Sequence, residues 1–186
     1  MTRRWPRRPT RMRRAGRLPF AMALGISDGI LNALILASGT VLRGVGLSLG
    51  LSIRVGVVAL CSSLVTVFVA EYTAYRSDLI QAERQLLFTR SGRLAATSLG
   101  RAVLRDAFAA AAVAGIASFA GAALPLVIGA MVPSASWTAL VASVMALGLL
   151  GLALATHVGG RRSLWATGLV ISGIIVTIIG AKVDLV

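Results

Sequence analysis

The stretch AFAAAAVAGIASFAGAALPLVIGA, residues 107–130, holds no charged side chain and consists almost wholly of apolar and small residues. Wound as an α-helix at about 1.5 Å per residue it would be about 36 Å long, more than the roughly 30 Å hydrocarbon core of a bilayer. A helix apolar on every side belongs either deep inside a large protein or in lipid. The chain has only 186 residues, 57% of them hydrophobic and 13% charged, where a soluble domain has about 25% charged. Lipid is therefore the solvent that the segment fits.

Four further segments of this kind flank it, at 19–42, 47–70, 137–156 and 164–181. They predict an all-α integral membrane protein with five transmembrane helices. The basic residues give an independent check. Eight of nineteen crowd the first seventeen positions, at Arg3, Arg4, Arg7, Arg8, Arg11, Arg13, Arg14 and Arg17. Others occupy the connection from Arg76 to Arg105 and the turn at Arg161 and Arg162, whereas the remaining loops hold Arg43 or no charge. By the positive-inside rule the N-terminus lies in the cytoplasm and the C-terminus outside. The apolar stretch after the arm contains Asp28 and outruns the core of a signal peptide, so the arm is expected to remain. This divides the chain into a basic cytoplasmic arm, 1–18, and a five-helix domain, 19–186. The net charge of +13 is concentrated in the arm, which suits anionic lipid around Arg11, Arg13, Arg14 and Arg17 and gives no reason to expect nucleic acid.

The connection at 71–105 is the one sizeable soluble piece. Tyr72, Tyr75, Leu79, Ala82 and Leu86 recur every three or four residues, the spacing of one helical stripe. The second span thus predicts a short cytoplasmic helical extension, with a turn back toward the membrane after Gly92. Gly25 and Gly29, Gly46 and Gly50, and Gly168 and Ser172 are four apart, a spacing that permits close helix packing. Cys61 stands alone in an apolar run, where packing is the expected role rather than chemistry.

Asp28 is the informative acid, because a carboxylate inside a span needs a partner, a cavity or an ion path. Arg54 in the second span is the candidate ion-pair partner, and a functional role for Asp28 is the other option. Glu71 at the mouth of the second span, Asp78 two turns on along the same face and, more weakly, Glu83 offer oxygen ligands that could gather a hard divalent cation. The alternative is that these acids are solvated or paired. His157 receives no role, and no nucleophile elbow, zinc pair or phosphate loop suggests an enzyme.

Gly25 to Gly39, GISDGILNALILASG, resembles the first span of the vacuolar iron transporter family, with Asp28 at the matching aspartate. AEYTAYRSDLIQAE, from Ala70 to Glu83, is similar to that family's junction of second span and cytoplasmic helix, matching at Glu71, Tyr72 and Ser77. ASFAGAALPLV, from Ala117 to Val127, resembles the third span, and Gly160, Arg161, Gly168, Gly173 and Gly180 match features of the last two. The resemblance covers about residues 20 to 182. It implies a homodimer that exports Fe2+ or Mn2+ from the cytoplasm, typically in exchange for protons, with Asp28 and Glu71 on the metal path and no permanently bound cofactor. It also marks differences: Val67 stands where the family usually has a methionine, and Ile80 where an acid is common. The alternative on those residues is a non-transporting scaffold or a subunit of a larger membrane complex. With no organellar presequence in view, a prokaryotic cytoplasmic membrane is the expected location.

Overall fold

The computed structural model describes the backbone of residues 10–43, 47–85, 98–132, 137–158 and 161–183, and the side chains of 18–41, 47–81, 99–132, 137–157 and 161–182. It contains five helices: α1 (Thr10–Arg43), α2 (Leu49–Gln85), α3 (Ser98–Met131), α4 (Trp137–Val158) and α5 (Arg162–Val183). Each is long and apolar enough to cross a membrane, and no strand occurs among the described residues. The chain is an all-α integral membrane protein.

The helices outrun the apolar segments that predict them. Helix α1 begins at Thr10, inside the arginine-rich arm, α2 continues unbroken to Gln85, and α3 starts at Ser98. Hydropathy marks where lipid is tolerated, whereas helix propagation needs only local backbone bonds and residues such as Arg and Ala that favour them. The start of α2 has a local cause: the Ser48 hydroxyl accepts the Leu51 N–H at 3.2 Å, and the Ser48 carbonyl accepts the Ser52 N–H at 3.1 Å, an N-cap. On the far part of α2 Tyr72, Tyr75 and Leu79 are half-buried as the stripe predicts, and Glu71 and Asp78 are half-buried beside them. The rings of Phe68 and Tyr72 stack at 5.9 Å. The turn expected after Gly92 and the side chains of Glu83, Arg11, Arg13, Arg14 and Arg17 lie outside the described residues.

Helix α3 is the hub. It packs along both α1 and α2, while α4 and α5 pair with each other and lean on α1. Half of its span is buried (50%), against 11% for α5, whose Ile171, Ile174, Ile175, Ile178 and Ile179 are exposed. That apolar surface fits contact with lipid chains. The interior forms two layers around α3, one of Ala21, Val67, Ala110, Ala111 and Ala114 and another of Ala33, Ala37, Leu47, Leu126 and Ala139. A third cluster, of Ile30, Leu34 and Leu147, joins α1 to α4 and α5.

Candidate functional site

Hydroxyls in a lipid-embedded helix ordinarily satisfy themselves on carbonyls three or four residues back. Ser27, Ser38, Ser143, Thr167, Ser172 and Thr177 do so, at 2.7–2.9 Å. Ser118 departs from that pattern. Its buried Oγ lies 3.3 Å from Oδ2 of Asp28 on α1 and 3.2 Å from the carbonyl oxygen of Ala59 on α2, so one hydroxyl ties three helices together.

Glycine brings these groups together. A Cβ on Gly25 would overlap the carbonyl of Ala114, one on Gly29 would overlap the carbonyl of Ser118, and one on Gly121 would come within 2.6 Å of the Ile26 carbonyl oxygen. Along α1 and α3, backbone therefore meets backbone with no side chain between, and Asp28 is delivered half-buried to that seam. The polar layer sits between the two apolar layers on each of these three helices: Asp28 between Ala21 and Ala33, Ser118 between Ala114 and Leu126, Ala59 between Val55 and Leu64.

A serine hydroxyl carries one proton and two acceptor positions. Facing an ionised Asp28, Ser118 donates to the carboxylate. Facing a protonated Asp28 it accepts the acid O–H and donates to the Ala59 carbonyl, which also has its second lone pair to offer. Ser118 can therefore hydrogen-bond Asp28 in either protonation state. Ser118→Ala is expected to lower stability by about 0.5–1.5 kcal/mol, the usual range for a hydrogen bond between membrane helices, measurable by SDS-titrated unfolding in mixed micelles.

The anticipated partner Arg54 is elsewhere. The buried face of α2 runs through Ser52, Gly56, Ala59, Ser63 and Val67, and Arg54, two residues from both Ser52 and Gly56, is about 200° around the helix from them. It is exposed and forms no ion pair with Asp28. The physical reason is that α3, rather than the sequence neighbour α2, covers the Asp28 face of α1. Arg54 stands five residues into α2, about 8 Å along the axis, from where a long side chain can reach an interface.

Glu71 and Asp78 are half-buried on α2. Because the helix is continuous, Glu71 is twelve residues beyond Ala59, about 18 Å along the axis, and Asp78 about 10 Å further. Asp28 and Glu71 of one chain therefore lie too far apart to be ligands of one ion, whose oxygen ligands lie about 2.0–2.6 Å from it. No group of three His, Cys, Asp or Glu residues suited to a metal occurs among the described residues. Val67 is buried in the apolar layer with Ala21, Ala110, Ala111 and Ala114. His157 is exposed in the last turn of α4, with Nδ1 3.3 Å from the Thr156 hydroxyl.

Sequence inspection singled out Asp28 but missed Ser118. The available signal was a serine flanked by Ala114 and Ala122 at four-residue intervals, small enough for a neighbouring helix to approach. Comparisons of the chain with protein-family models, with curated proteins and with solved structures gave no match.

Proposed function

We propose that the chain is a divalent-metal transporter of the kind its sequence resembles, the vacuolar iron transporter family. It exports ferrous iron or manganese from the cytoplasm in exchange for protons, and works as a homodimer in a prokaryotic cytoplasmic membrane with its arginine-rich end inside. The observation that carries this reading is Asp28, a half-buried carboxylate within a spanning helix whose polar partner is the neutral Ser118 hydroxyl. Ion paths are the commonest reason for such a group to persist in lipid. Carboxylate, hydroxyl and carbonyl are hard oxygen donors of the class that suits a divalent cation. Protonating the carboxylate removes the charge that holds the ion, and this couples the two. Glu71 and Asp78 then gather the cation ahead of Asp28.

A second reading has its own support. Val67 in the apolar layer removes the soft ligand of the resembled family, and no three-ligand cluster occurs among the described residues. On that reading the chain is a non-transporting scaffold or a subunit of a larger membrane complex.

The deciding measurement is uptake of Fe2+ and Mn2+ into proteoliposomes under an imposed pH gradient. Uptake that follows the gradient is the expected result. Glu71→Gln, which removes a gathering charge distant from Asp28, should raise KM a few-fold while leaving kcat near the wild-type value. Absence of uptake of either metal by folded, oriented protein overturns transport and leaves the scaffold.

A further inference from the structure

Between α1 and α4 lies a groove of about 580 Å³. Its walls are apolar, with Pro19, Met22 and Ile26 on one side and Leu150, Ala153 and Leu154 on the other, and no carboxylate lines it among the described residues. Pro19 to Ile26 rises about 10 Å along α1, some two-thirds of one leaflet of a roughly 30 Å hydrocarbon core. His157 lines the end of the groove toward which Pro19 lies.

That end is basic. Arg161 and Arg162 follow His157 by four and five residues and are both exposed. Their position is fixed by the α4/α5 contact: a Cβ on Gly151 would fall 2.7 Å from the Ala166 Cα and 2.7 Å from the Trp165 carbonyl oxygen, so α5 is pressed against the groove's α4 wall. The Arg161 carbonyl accepts the N–H groups of Leu164 and Trp165 at 3.1 and 3.3 Å and so caps α5. From Gly151 to His157 the chain descends about 9 Å, and from Trp165 back to Arg161 about 6 Å in the same direction, which brings the two ends to within a turn of one level. On α1, Arg17 precedes Pro19 by two residues.

We propose that this groove binds one anionic phospholipid, an acyl chain lying between α1 and α4 and the phosphate meeting His157, Arg161 and Arg162. The site is independent of what Asp28 does. Charge complementarity selects this occupant: a hydrocarbon-lined slot ends in cations, the pattern of a lipid with an apolar tail and an anionic head. A second copy of the chain fits poorly, because a two-fold axis along the membrane normal would set the same basic ends side by side at one depth.

The test uses the full-length wild type in liposomes containing a trace of phosphatidylglycerol or phosphatidylcholine with a photoactivatable diazirine in the acyl chain, and maps adducts by mass spectrometry. With phosphatidylglycerol, adducts are expected to concentrate on peptides covering 19–26 and 150–157, above the exposed α5 residues 171–179. The doubly substituted Arg161→Gln/Arg162→Gln protein, altered only at exposed positions, should lose that enrichment by roughly fivefold for each arginine removed, while phosphatidylcholine shows little enrichment in either protein. Even labelling around the bundle, equal enrichment with phosphatidylcholine, or chain-to-chain cross-links through 19–26 and 150–157 would each overturn the proposal, the last in favour of a second copy.

Discussion

Asp28→Asn is expected to abolish gradient-driven metal uptake while leaving a folded protein. Asparagine has nearly the volume of aspartate and keeps an oxygen that can accept from the Ser118 hydroxyl, now 3.3 Å from Oδ2. The Gly25 and Gly29 contacts that build the seam are untouched. What is lost is the charge and the exchangeable proton. A fall of more than about tenfold, equivalent to at least 1.4 kcal/mol of ion stabilisation, is expected in uptake of both Fe2+ and Mn2+ into proteoliposomes, with no proton flux on addition of metal. Unfolding in mixed micelles should change by less than about 1 kcal/mol, since a neutral amide is cheaper to keep in lipid than a carboxylate. The scaffold reading demands a different pattern. There the substitution leaves transport at the background level of the wild type and alters only stability or association with a partner.

Gly29→Ala should destabilise the protein even though alanine is the better helix former. On an open helix face, replacing glycine by alanine gains up to about 1 kcal/mol. At Gly29 the added methyl would overlap the carbonyl oxygen of Ser118 and lie 2.9 Å from the Ala122 nitrogen, and neither backbone atom can swing aside as a flexible side chain would. Helices α1 and α3 must separate, at a cost of about 2–3 kcal/mol, the upper range for overpacking. The separation also widens the Asp28–Ser118 gap, so uptake should fall in the fraction that remains folded. Gly168→Ala is the control. Nothing lies within 4 Å of a Cβ at that position, and the substitution should be neutral or mildly stabilising. SDS-titrated unfolding of both variants beside the wild type reads the two signs directly, and destabilisation of equal size at both sites would remove the claim that backbone contact at Gly29 holds the seam.

These two glycines also show how much was legible in advance. Gly25/Gly29 and Gly168/Ser172 share one spacing in the sequence, and the spacing permits a close approach without saying what lies opposite. One pair meets α3 backbone, while Gly168 faces open space. Arg54 is a similar case. It is the natural partner for Asp28 when α1 and α2 are taken as neighbours because they are consecutive, yet the groups that reach Asp28 and Ser118 come from α3 and the Ala59 carbonyl. Neither a serine in an alanine-rich span nor a main-chain oxygen has any signature in hydropathy.

The sequence by itself determined the solvent and the number of helices. Five runs of apolar residues allow one outcome in lipid, because each must satisfy its own backbone hydrogen bonds and an open strand could not. It also singled out Asp28, since a carboxylate within a span is costly unless it has a partner, a cavity or an ion path. The order of packing was decided only by the tertiary structure. Lipid chains are as apolar as leucine, so burial does not discriminate between helix neighbours, and van der Waals fit and hydrogen bonds between backbones choose them. That fit put α3 against both α1 and α2, turned Arg54 away and drew Ser118 to Asp28.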